Sequence, residues 1–182
     1  MKDIDDDVIR RALGHDTAAF EMIYRHYAGM VYRVAIRVTR SAEDAQEVTQ
    51  QVFLSAHRHL GSFAGRSSLR TWLYRITMNC SLNAIKGRRQ HEVPWEEGFD
   101  PQDPRHDQRE NIEKESRLDE ISRLLGHLNS DQRACLVLRA QEGLSYEQIA
   151  RALNINLNTV RSRLKRARQT LISVNEEKRG GF

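Results

Sequence analysis

The sequence predicts an all-α protein: two small helical domains joined by an acidic linker, the C-terminal one a helix-turn-helix. Three observations carry this expectation. Apolar residues recur at three- and four-residue spacing in both halves of the chain, and no stretch sustains the two-residue alternation of a strand. The 182 residues include only 10 Gly and 3 Pro, too few for a turn-rich β fold, and the prolines all fall in one short segment. The net charge of +4 is unevenly spread: residues 1–90 hold 14 basic and 9 acidic side chains, residues 91–117 hold 4 and 9, and residues 118–182 hold 11 and 7. The middle stretch includes VPWEEGFDPQDPRHDQRE. Prolines disfavour helix at their own position and the one before, so this segment reads as a linker between domains 1–90 and 118–182.

In the N-terminal half, Gly14 closes a short helix and Asp16 caps the next. Its apolar stripe is Phe20, Ile23, Tyr24, Tyr27, Val31, Val34 and Val38, with Gly29 a point where the long helix can bend. Ser41, with Asp44 three residues on, resembles a capping box that opens a third helix. Ala45, Val48, Val52 and Ala56 point inward there, with Phe53 and Leu54 beside them. The turn GSFAGRSS (61–68) follows, and Ser67 or Ser68 caps a helix whose expected buried stripe is Leu69, Leu73, Ile76, Cys80 and Ala84.

The C-terminal half is more specific. Ser130 is expected to start a helix with Leu136 and Val137 inward, and Gly143 to end it. Ser145 and Gln148 form a capping box, which satisfies two free backbone donors reciprocally, ahead of a short helix burying Ile149, Ala150 and Leu153. Asn154 stands where the following turn favours positive φ, and Asn156 caps a last helix reaching about Ser173. Helix, tight turn and helix make the helix-turn-helix pattern. At 100° per residue, Val160, Leu164, Ala167 and Leu171 share the inward face of the last helix. Asn158, Ser162, Lys165, Arg166 and Gln169 lie opposite, flanked by Arg161, Arg163 and Arg168. The DNA major groove admits one such helix, with its first exposed residues at base edges and its basic shoulders on phosphates.

Other classes are excluded. No apolar run approaches the ~18 residues of a membrane span, and the acidic start MKDIDDD is unlike a signal peptide, so a cytoplasmic protein without membrane insertion is expected. Cys80 and Cys135 lie far apart and form no ligand pair. Asp3, Asp5, Asp6 and Asp7 lack the Gly and Glu of a calcium loop and fit a charged helix start instead. His57 and His59 point to different helix faces. With no phosphate loop and no nucleophile elbow, no catalytic residues, metal ligands or cofactors are expected.

On these residues the chain resembles the extracytoplasmic-function (ECF) sigma factors of bacterial RNA polymerase. DAQEVTQQVFLSA (44–56), FAGRSSLRTWLYRITMN (63–79) and LNSDQRACLVLRAQEGLSYEQIARALNINLNTVRSRLKRARQTL (128–171) carry the resemblance, which covers about 17–90 and 118–172, some 129 residues. It implies that the first domain binds core polymerase and reads and melts the −10 promoter element, and that the second reads the −35 element. In the polymerase-binding helix, Asp44, Glu47, Gln50, Gln51 and Phe53 match the family's docking positions, with fewer acids than is usual. Arg66, Ser67, Ser68, Arg75 and Asn79 match its −10 contacts, and Trp72 packs behind them as a core anchor. The −35 contacts are Asn158, Thr159, Arg161, Ser162, Lys165, Arg166 and Gln169. Asn129, usually Pro, and Asn83, often Asp, depart from the pattern at positions that carry no chemistry. The implied partners are the RNA polymerase core enzyme, promoter DNA and an anti-sigma factor. As a flexible coil the linker would average ~29 Å end to end, and it could stretch to ~90 Å. A helix-turn-helix regulator that does not replace sigma is the rival reading, and it would require a sensor domain in residues 1–90.

Overall fold

A computed structural model describes residues 4–65, 67–91 and 120–180 of the chain. Arg66, Asp3 and the expected linker 91–117, apart from the helical His91, lie outside the described residues. Among the described residues the architecture is helical without strands. It comprises α1 (Asp6–Leu13), α2 (Thr17–Thr39), α3 (Ala42–His59), a 3₁₀ turn (Leu60–Ser62) and α4 (Leu69–His91). After the linker come α5 (120–126), α6 (Ser130–Ala140), α7 (Tyr146–Leu153) and α8 (Leu157–Gly180).

Local side-chain chemistry sets most of these boundaries. Asp5 caps α1 by accepting the Asp7 N–H, and Asp16 caps α2 by accepting from Ala18 and Ala19. Those backbone donors and Arg11 hold the Asp16 carboxyl below its ordinary range. Ser41 caps α3, but Asp44 does not complete a box, because its carboxylate is 2.7 Å from Arg88 on α4. The left-handed turn after α1 is taken by His15 (φ 64) while Gly14 stays at φ −81, so the expected glycine closure moves one residue on. α2 runs unbroken through Gly29. α6 starts at Ser130 as the sequence suggests, and Asn129 caps it: the Asn129 side chain accepts the Gln132 N–H while Gln132 returns to the Asn129 backbone. α8 continues well past Ser173, to Gly180.

In the first domain α2, α3 and α4 bury Ile23, Tyr27, Met30, Val34, Val52, Leu73 and Met78 against one another. In the second, α6, α7 and α8 close over Leu138, Ile149, Val160 and Leu164. Two stripes depart from the sequence expectation. Ile76, Cys80 and Ala84 of α4 are only half-buried, and the buried face runs instead through Leu73, Tyr74, Thr77, Met78, Ser81 and Ile85. Thr77 satisfies its hydroxyl on the Leu73 carbonyl at 2.8 Å, and Tyr74 finds a partner in the second domain, so these two polar residues tolerate burial. Tyr24 and Leu54, expected in the core, are 46% and 51% exposed. In the helix-turn-helix the small residue that is fully covered is Ala152, with Ala150 half-buried.

The two domains touch, with α4 packing on α7 and α6, and α2 on α6. Arg133 of α6, 9% exposed, spans this seam. Its guanidinium donates to the Leu125 carbonyl (3.0 Å), the Leu128 carbonyl (2.8 Å) and, in the first domain, the Val38 carbonyl (2.8 Å). Arg40 lies against Gly126, where an added Cβ would meet the guanidinium at 3.0 Å.

Replacing Ser145 by Ala removes the side-chain half of the α7 capping box, the acceptor of the Gln148 N–H. Chemical denaturation should then show the chain destabilised by about 1 kcal/mol, while Ser67→Ala, at a serine that caps no helix, leaves stability unchanged.

Candidate nucleic-acid interface

The helix-turn-helix is built by three caps in succession. Ser145 accepts the Gln148 N–H at 3.2 Å, and the Gln148 side chain accepts the Ser145 N–H at 2.7 Å. Asn154 takes φ 52, ending α7, and the Ile155 N–H returns to the Ala150 carbonyl at 3.0 Å. Asn156 then accepts from the Thr159 N–H at 2.7 Å and from its hydroxyl at 2.9 Å, opening α8. Val160, Leu164 and Ala167 face the core and Leu171 is half-buried, so the register of α8 is fixed as its spacing requires.

That register turns Asn158, Arg161, Ser162, Lys165, Arg166, Arg168 and Gln169 to solvent. Thr159 is half-buried and engaged in the cap. Arg161 donates to Asn158 at 3.2 Å, so the two act together at the start of the helix. Arg163 is turned to Asp131 of α6 at 2.6 Å, which makes it a fold contact rather than part of the free basic face. Glu147, at the first turn of α7, is held below its ordinary pKa by its own backbone N–H and the Ser145 hydroxyl, with Arg161 and Arg151 adding to the shift. Arg151 is thus a basic residue beside this face that helix-spacing arguments on α8 alone miss; its position four residues after Glu147 was the available signal.

On the first domain, Ser68 caps α4 by accepting the Thr71 N–H at 3.2 Å. Ser67 is half-buried, with its hydroxyl on the Ser68 carbonyl at 3.3 Å. Arg75 and Asn79, four residues apart, are exposed on one face of α4. Trp72 is half-buried with its ring 5.6 Å from that of Phe63, the anchor the sequence suggests. A cavity of about 410 Å³ separates the 63–68 turn from α1, with Phe63 and Ser67 on one wall and Ile9 and Arg10 on the other. The contribution of α1 carries no signal at motif level.

Along α3, Glu47, Gln50 and Gln51 are exposed, the Gln51 amide donating to Glu47 at 2.8 Å. Asp44 is turned aside to Arg88, and Phe53 is 5% exposed with its ring edge-on to Tyr24 at 4.8 Å. The outward row expected of α3 is therefore shorter than its sequence suggests. What adjoins it is an apolar groove of about 590 Å³ between α2 and α3, lined by Phe20, Tyr24, Gln50, Phe53, Leu54 and His57. Tyr24 and Leu54 were missed because apolar residues at helical spacing read as core.

Among the described residues no cluster of three His, Cys, Asp or Glu side chains could hold a metal ion. Burial pushes the Cys135 thiol up to about 11 and raises that of Cys80, so both stay protonated at neutral pH. No described helix is long and apolar enough to cross a membrane.

Comparison with known proteins matches this geometry region by region. The family described as Sigma-70 region 2 matches residues 23–91, and Sigma-70, region 4 matches residues 118–171. An RNA polymerase sigma-H factor of Pseudomonas aeruginosa is 35% identical over 176 residues, covering 92% of this chain and 91% of its own. The ECF RNA polymerase sigma-E factor of Escherichia coli is 33% identical over 185 residues, covering 92% of each. Among solved structures, CnrH in complex with the cytosolic domain of CnrY shares the fold at a TM-score of 0.69 and 21% identity, covering 95% of this chain and 97% of that one. The sigma factor RpoE of Bartonella quintana, in complex with the anti-sigma factor NepR, does so at 0.68 and 21%, covering 86% and 96%. With Sigma-70 region 2 and region 4 matched in this order, and relatives aligned over 92% of its length, the chain belongs to the ECF sigma factors of bacterial RNA polymerase.

Proposed function

We propose that this chain is an alternative sigma factor that binds core RNA polymerase through α3 and the groove beside it, reads the −10 element with the 63–68 turn and α4, and reads the −35 element with α8. The observation that carries the reading is the pairing of two solvent-facing polar surfaces in one chain: Arg75 with Asn79 on α4, and Arg161, Lys165 and Arg166 on α8. Single-stranded bases are held by polar side chains in pockets beside basic residues, which suits the cavity between Ser67 and Arg10. Duplex DNA is read from the major groove by the first exposed turns of a recognition helix, which suits Asn158, Arg161, Ser162 and Lys165. Arg166 and Gln169 lie further along α8, where contacts go to the sugar-phosphate backbone.

Core polymerase docks on Glu47, Gln50 and Gln51 together with Tyr24 and Leu54 at the rim of the groove. The depletion of acid in this row, with Asp44 engaged by Arg88, puts more of the docking energy on apolar burial than on charge. An anti-sigma protein is the proposed regulator, and the same groove is the surface it would cover. The acidic linker repels DNA and stays off the duplex while the two domains engage it.

Mixing the chain with core polymerase and a promoter template should give a run-off transcript that neither component gives alone; no gain of promoter-dependent transcript would sink the reading in favour of an ordinary helix-turn-helix regulator. On a promoter with a weak −35 element, Lys165→Ala or Arg161→Ala should lower the transcript about fivefold or more, the loss of one base or phosphate contact. Asn79→Ala should leave −35 binding intact and slow promoter opening, read as reduced permanganate reactivity of −10 thymines. Equal transcript and equal reactivity for all three variants would remove these residues from their assigned roles.

A further inference from the structure

Between Ser145 and Asn175 the chain holds six basic residues and a single acid, Glu147. It is exposed in the first turn of α7, the helix that packs on α8. Duplex DNA is a polyanion, so a carboxylate beside the face that meets it costs affinity for every sequence alike.

The Glu147 side chain is held in place. Its carboxylate accepts the Ser145 hydroxyl at 2.8 Å and its own backbone N–H, which seats it over the start of α7. The N–H groups at a helix start otherwise attract a phosphate. Here the Ser145 and Gln148 N–H groups are taken by the capping box, and the Glu147 N–H by its own carboxylate. Two guanidiniums come near enough for their charge to act on that carboxylate. Arg151 lies one turn along the same helix, at the spacing of a helical ion pair. Arg161 belongs to the other helix, and it also donates to Asn158 at 3.2 Å. Arg161 is therefore held from two sides, by Glu147 of α7 and by Asn158 of α8.

Two uses are open to an arginine at the start of a recognition helix. On a phosphate it carries no sequence information. Aimed at a base edge it makes the bidentate contact with O6 and N7 of guanine. A fixed carboxylate beside the guanidinium favours the second use, because it keeps the head group near its own position and repels a phosphate that approaches there.

We propose that Glu147 is a specificity-determining positioning residue, which holds Arg161 for a guanine edge of the −35 element and penalises binding through phosphates alone. The proposal rests on the sigma-factor reading above and deepens its assignment of α8. General affinity is given up for discrimination between sequences.

The test compares the parent, Glu147→Gln, Arg161→Ala and the double variant, each as the full chain with core polymerase. The template is a barcoded promoter library randomised at the −35 element, so that sequenced transcripts report base preference position by position. Glu147→Gln keeps the size of the side chain and leaves the capping box in place. It should lower the preference for guanine about fivefold at one position, the same position that Arg161→Ala flattens. Adding Glu147→Gln to Arg161→Ala should flatten it no further. On a duplex of unrelated sequence the Glu147→Gln chain should bind more tightly, its salt dependence steeper by about 0.9, the mark of one more phosphate contact. An acid that serves only α7, through Arg151, moves neither readout. Unchanged base preference in Glu147→Gln overturns the proposal, and so does a loss spread evenly over all positions. If the parent gives no promoter-dependent transcript, the sigma reading fails instead. Duplexes that the chain selects from a random pool then give the same comparison, and the same outcomes decide the role of Glu147.

Discussion

Within seven consecutive residues, α4 sends Leu73 and Met78 into the core of the first domain, Tyr74 into the seam with the second, and Arg75 and Asn79 into solvent. An α-helix turns 100° per residue, so Leu73, Tyr74 and Met78 share one broad buried arc, Arg75 and Asn79 lie together beyond it, and each contact along the way has its own requirement. The core face must be apolar and close-packed. The seam side also buries polar groups, of which Tyr74 is satisfied on Glu142 and Thr77 on the Leu73 carbonyl. The outer face must stay free for a ligand. Rotating α4 by one residue would put Arg75 in the seam and Tyr74 on another face, so the placement of the exposed Arg75 and Asn79 and the position of the second domain are settled by the same register.

What the sequence makes legible follows from whether the cause is local. The caps at Asp16, Ser145 and Asn156 bind donors two or three residues away, and the inward stripe of α8 repeats within one helix, so the helix-turn-helix and its basic face are readable to the residue. The stripe of α4 is not, because part of what buries it comes from the second domain. Tyr74, Thr77 and Ser81 read as surface residues until α7 and α6 are in place. Arg163 misleads in the same way: its spacing puts it on the flank of the basic face of α8, yet it is held by Asp131. The opposite error occurs at Tyr24 and Leu54, which have core spacing and form the rim of a groove. Apolar periodicity reports which residues avoid water, and a docking surface waiting for a partner satisfies that rule as well as a core does.

The seam also bears on how so small a second domain holds together. About 60 residues bury a modest apolar core, and such domains are marginal by themselves. Here Arg133 ties the end of α5 and the α5–α6 turn to α6 through the Leu125 and Leu128 carbonyls, and Asp131 ties α6 to α8 through Arg163. These bonds lie within the domain and involve no residue of the first. The bonds that cross the seam are fewer in kind: a carboxylate on a phenol and a guanidinium, and a guanidinium on one helix-end carbonyl. The domain therefore carries its own cross-links independently of those that position it, which a unit needs if it is to move as a rigid body.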